Sequence, residues 1–130
     1  MSIIRHMDHF TVLTPDVEVT REFYGMFGLV PGPRPNLSFP GIWLYAGDRP
    51  ILHVVTGRPM PKEPGGNLDH MAFRARDLPG TVELLKSRGI NFDLRRVPVP
   101  YEGWQLFCFD PFGAKVELDF DADEPAPPPS

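Results

Sequence analysis

Cysteine is almost missing from this chain: Cys108 stands alone among 130 residues, so no disulfide can form within it. That fits a reducing compartment. In the run Gln105-Leu106-Phe107-Cys108-Phe109 the thiol reads as a small buried residue and not as a nucleophile. Long apolar runs are also lacking, and nothing approaches the roughly 20 residues of a membrane helix. Residues 1–6 lead almost at once into a strand-like pattern with no secretory signature, so the expectation is a soluble, unexported, cytoplasmic protein that meets no membrane. An excess of positive charge is absent too. Thirteen Lys and Arg against 17 Asp and Glu leave a formal charge of −4, with the basic residues scattered, which argues against nucleic acid as a partner. What remains is 42% hydrophobic and 12% aromatic residues, enough for the core of one domain.

The informative feature is an internal repeat at a shift of 61 residues. Asp8-His9 falls on Asp69-His70, Asp16-Val17 on Asp77-Leu78, Thr20 on Thr81, and Phe23-Tyr24 on Leu84-Leu85. Gly28-Leu29 falls on Gly89-Ile90, Arg34 on Arg95 and Trp43 on Trp104. Beyond Trp104 the second copy is longer by three residues, so that His53 corresponds to Glu117; the turn Asp110-Pro111-Phe112-Gly113 is the expected place for the extra residues.

Each copy reads as a strand, a helix and three strands, an α+β arrangement of two tandem βαβββ modules. Alternation over residues 7–13 places His9, Thr11 and Leu13 on one face of a half-buried strand. Asp16 is a cap for a helix starting near Val17, with Glu18 and Glu22 toward the positive end of its dipole, Val19, Phe23 and Phe27 as its apolar stripe and Gly28 as its stop. In the second copy Asp77 caps, Val82, Leu84 and Leu85 supply the stripe, and Gly89 stops. Later strands are expected over residues 42–45, 51–56, 105–109 and 115–120. Residues 31–35 and 97–100, rich in proline and glycine, are expected to be equivalent loops over the same kind of opening. The expected organisation is one domain over residues 1–120, with modules at 4–57 and 66–120, and a disordered acidic, proline-rich tail at 121–130.

On the last strand Val116, Leu118 and Phe120 share a face, which turns Glu117 to the other side; Leu52 and Val54 do the same for His53. If the two modules stand side by side about a pseudo-twofold, His9, His53, His70 and Glu117 line one concave surface. Three imidazoles and a carboxylate suit iron, manganese, nickel or zinc. A single strand histidine is more often structural than functional, but the repeat puts three of the chain's four histidines at first-strand and last-strand positions. His6 has no counterpart and reads as a surface residue. Trp43 and Trp104 read as core or cup-wall residues, and Tyr101 either hydrogen-bonds a substrate or covers a loop.

Asp8-His9 with Asp16, Asp69-His70-Met71-Ala72-Phe73 with Asp77, and the run from Asp110 to Glu117 together resemble the vicinal oxygen chelate superfamily, that of glyoxalases, bleomycin resistance proteins and extradiol dioxygenases, across nearly the whole chain. The resemblance implies open mixed-sheet half-barrels around a metal cup, and bidentate oxygen chelation of a small substrate. It implies His9, His70 and Glu117 as ligands, with His53 as a further ligand or the catalytic base. Single-chain members of this kind commonly dimerise, which implies a homodimer in which His9 and His53 face His70 and Glu117 of the other copy. The reading it favours is an oxidoreductase of extradiol-dioxygenase type acting on a catecholic substrate, with Fe2+ or Mn2+ and with His53 and Tyr101 as catalytic candidates. Extradiol enzymes also carry a histidine and a tyrosine ahead of the Asp-Pro turn, where this chain has Phe107 and no histidine beyond His70. The alternatives are a glyoxalase I-like lyase with Ni2+ or Zn2+ and four ligands, and a metal-free module that sequesters a small aromatic compound.

Overall fold

The computed structural model describes residues 2–128, in two compact units that divide between Pro64 and Gly65. The first unit runs β1 (Phe10–Leu13), α1 (Val17–Met26), β2 (Val30–Gly32), β3 (Gly41–Ala46) and β4 (Arg49–Val55). The second repeats the order as β5 (Met71–Arg74), α2 (Leu78–Ser87), β6 (Asp93–Arg96), β7 (Trp104–Phe109) and β8 (Lys115–Phe120). Each is a βαβββ module with an open four-stranded sheet, ordered β1-β4-β3-β2 and β5-β8-β7-β6. The helical crossover makes β1 parallel to β4 and β5 parallel to β8, while the hairpin-linked strands are antiparallel. No helix among the described residues is long and apolar enough to cross a membrane.

Both helices start where an aspartate accepts a backbone N–H: Asp16 from Val19 and Asp77 from Gly80. Both stop ahead of a glycine at positive φ, Gly28 at 97° and Gly89 at 67°. The buried face of α1 is Thr20, Phe23 and Tyr24; Val19, expected in the stripe, is 38% exposed. Thr20 can take the inward place because its hydroxyl bonds the buried Thr14 hydroxyl at 2.8 Å, so no polar atom is stranded there. In α2 the buried face is Leu78, Val82 and Leu85. On β8 Val116, Leu118 and Phe120 are buried with Leu106 and Cys108 of β7, which makes Cys108 the small core residue that its sequence neighbours imply.

Strand pairing moves the three-residue insertion. Phe10 pairs with Leu52 and Met71 with Val116, so β1 maps to β5 at a shift of 61 and β4 to β8 at 64. Trp43 lies opposite His53, and Phe107 opposite Glu117, so β3 maps to β7 at 64 as well. Val30 faces Tyr45 and Asp93 faces Phe107, which leaves β2 to β6 at the smaller shift. The extra residues therefore lie in the loop between β6 and β7, not in the turn at Asp110. The counterpart of Trp43 is Phe107, and Trp104 belongs to the opposite face, across from Phe120.

Two further boundaries differ from expectation. Pro31 and Gly32 lie inside β2, which is tolerable because β2 is an edge strand with only β3 to bond. β1 begins at Phe10 and β5 at Met71, so His9 and His70 each stand one residue ahead of a strand. Among the described residues past β8 there is no regular structure, yet residues 121–124 are anchored. Asp121 pairs with Arg74, Ala122 O accepts from Arg96, and the Glu124 carboxylate accepts from Asp77 N at 2.8 Å and Leu78 N at 3.0 Å. The last two residues of the expected disordered tail lie outside the described residues.

Candidate functional site

In the first unit the two candidate histidines meet as rings. His53, at the centre of β4, lies opposite Thr11 of β1 and Trp43 of β3. Alternation puts these side chains on the face away from the buried Leu52 and Val54. The chain just ahead of β1 folds His9 onto that face, where its ring stacks on His53 with centroids 3.6 Å apart and planes 14° apart. Trp43 stacks on the other side of His53 at 4.0 Å. His53 Nε2 is buried and has no hydrogen-bond partner. Burial, and then the neighbouring His9, lower the pKa of His53, which favours the neutral ring.

The second unit brings together the other two. His70 Nε2 is 2.9 Å from Glu117 Oε1, and the Glu117 side chain is only 8% exposed. A carboxylate that deep needs partners. Gln105 Nε2 donates to Oε2 at 3.2 Å, and the Asp119 carboxyl makes a further side-chain hydrogen bond to Glu117. Phe107 meets the edge of the His70 ring, centroids 6.0 Å apart, where the first unit has Trp43 against His53. Two residues along β8, Asp119 has its pKa pushed up to about 6, first by burial and then by Glu117, and its Oδ1 is buried without a partner. Asp119 and Gln105 line a depression of about 330 Å³ together with Arg74, Trp104 and Tyr101, the last being 79% exposed in the β6–β7 loop.

The aspartate ahead of each ligand-candidate histidine has a role that the sequence reading did not assign. Asp8 Oδ2 is 2.7 Å from His9 Nδ1, and Asp69 Oδ2 is 2.7 Å from His70 Nδ1. Those hydrogen bonds lower the pKa of both aspartates. With Nδ1 given to a carboxylate as a donor, Nε2 is left with its lone pair facing away from the backbone, the arrangement that precedes metal ligation. Recurrence of the Asp-His dipeptide was the available signal. Gln105 was missed as well, because nothing in its local sequence separates it from other strand residues.

The donor chemistry of both pairs fits a divalent ion: neutral imidazole and carboxylate, with Nε2 of His70 beside a carboxylate oxygen and Nε2 of His53 buried and unpaired. Among the described residues no group of three or more His, Cys, Asp or Glu side chains comes together as a complete metal cage. The structure thus assembles His9 with His53, and His70 with Glu117, as two pairs. Tyr101 stands at the depression beside Gln105 and Asp119.

Solved structures share this fold. A protein from Bacillus anthracis described as of the glyoxalase family superposes with a TM-score of 0.74 at 21% identity, covering 93% of this chain and 98% of its own. A glyoxalase family protein from Enterococcus faecalis gives 0.68 at 22%, covering 91% and 99%. A glyoxalase/dioxygenase from Nostoc punctiforme gives 0.66 at 20%, covering 90% and 91%. No curated protein shows significant similarity to the sequence. The sequence model of one family matches residues 6–118, a span that carries all four candidate ligands and nearly all of both modules, and by that match the chain belongs to the Glyoxalase/Bleomycin resistance protein/Dioxygenase superfamily.

Proposed function

We propose that this protein is a metal-dependent oxidoreductase of the extradiol-dioxygenase type that acts on a small catecholic substrate. His9, His70 and Glu117 hold the ion, with Fe2+ or Mn2+ as the favoured metal. The observation that carries the reading is the 2.9 Å approach of His70 Nε2 to Glu117 Oε1 with His70 Nδ1 anchored by Asp69, an anchoring that Asp8 repeats on His9. A bound divalent ion would supply a Lewis acid able to chelate two vicinal oxygens. His53 is the proton-handling residue, since its Nε2 is buried, unpaired and kept neutral by its surroundings. Tyr101 and Gln105, at the depression next to Glu117, orient the substrate. The two ligand pairs complete each other in a homodimer, His9 and His53 from one copy and His70 and Glu117 from the other.

A second reading, a glyoxalase I-like lyase with Ni2+ or Zn2+, is favoured by the unpaired Nε2 of His53 stacked beside His9, which could serve as a fourth ligand. Metal analysis of protein purified without air, followed by a catechol panel read for coloured ring-opened product, tests the first reading. Nickel or zinc with turnover of a methylglyoxal–thiol adduct selects the second. A protein that retains no metal under any of these conditions overturns both and leaves a binding module.

A further inference from the structure

Glu117 has a distinct neighbour at each oxygen. Oε1 faces His70 Nε2, and Oε2 accepts from the Gln105 amide. Gln105 sits on β7 directly across from Asp119, one diagonal step from Glu117, and cross-strand neighbours at that diagonal are within reach of a long side chain. Its amide is part-buried and donates to Oε2 at 3.2 Å, while the Asp119 carboxyl makes a further side-chain hydrogen bond to Glu117. A carboxylate without such a partner can offer an ion either one oxygen or both.

We propose that Gln105 is a positioning residue for the metal site: by engaging Oε2 it presents Oε1 alone beside His70 Nε2, and so keeps positions on the ion open for substrate oxygens. This inference rests on the metal reading given above. A hydrogen bond to a ligand's far atom typically governs metal affinity by about 10–100-fold. Gln105 also lines the depression, so the residue that holds Glu117 borders the space a substrate would fill.

The test titrates metal-free protein with Co2+ in the absence of air, following heat of binding and visible absorption, whose intensity reports coordination number. Wild type, Gln105→Leu and Gln105→Met are compared, with circular dichroism and melting temperature as the check on folding; the methionine variant serves where the leucine variant does not fold. The expected result is about 10–100-fold weaker Co2+ binding with an altered spectrum in a folded variant. A melting temperature that falls while affinity and spectrum stay as in wild type assigns Gln105 to stability alone and overturns the proposal. Wild type that takes up no Co2+ overturns the metal reading itself, and this inference with it.

Discussion

The ring of His53 lies flat against that of His9, 3.6 Å away, with its Nε2 buried and bonded to nothing. Leaving a buried polar atom unpaired costs about 1–3 kcal/mol, a cost tolerated where a further group completes the site. Replacement by glutamine separates the roles of His53. His53→Gln is expected to keep the metal and lower turnover by about 100-fold or more, the usual worth of a general base. Metal content measured beside turnover decides it, since loss of metal would make His53 a ligand instead.

The carboxylates of Asp8 and Asp69 hold Nδ1 of their histidines at 2.7 Å. Asp69→Asn replaces an obligate acceptor by an amide that can donate, and so no longer fixes the tautomer with Nε2 free. Metal affinity is expected to fall by about 10–100-fold, with Asp8→Asn acting in the same direction. Calorimetric titration checks this, and unchanged affinity in both variants would remove the orienting role.

Glu124 accepts the first two backbone N–H groups at the start of α2, where a carboxylate also meets the positive end of the helix dipole. Glu124→Ala should cost about 1 kcal/mol, as the loss of a helix cap does. Thermal unfolding at neutral pH is the readout, with a drop of about 2–8 °C expected for a domain of this size.

Asp119 holds its proton to about pH 6 in the folded state against a normal 3.8, chiefly through burial. Between those values the folded protein binds more protons than the unfolded chain, so this group's contribution to stability falls as pH rises through the window. Asp119→Asn abolishes the titration. The variant's melting temperature should match wild type near pH 4 and exceed it at pH 7, and a difference of the opposite sign would show that Asp119 is stabilised as a carboxylate.

Cys108 is 1% exposed, and burial pushes its thiol up to about 11. Since the thiolate is the reactive form, iodoacetamide at pH 8 should leave native protein unmodified and alkylate it fully in denaturant. Mass spectrometry distinguishes the two, and ready native labelling would mean that the β7–β8 core opens.

Much was legible in the chain because it is written locally. Asp16 and Asp77 cap helices through their own side chains, Gly28 and Gly89 stop them through left-handed backbone, and alternation over β8 turns Glu117 away from Val116, Leu118 and Phe120. The repeat itself identified the modules and the four site candidates. Other features depend on partners that local sequence does not encode. The three-residue insertion between β6 and β7 lies in a loop, where no periodicity records register, so only strand pairing shows that Phe107, not Trp104, answers to Trp43. The stack of His9 on His53 and the grip of Gln105 on Glu117 are likewise tertiary, set by which strands the ladder places side by side. Sequence determined which residues are the candidates, since residue type and spacing are intrinsic to the chain; tertiary structure decided what each one touches, since contact across strands exists only once the sheet has formed.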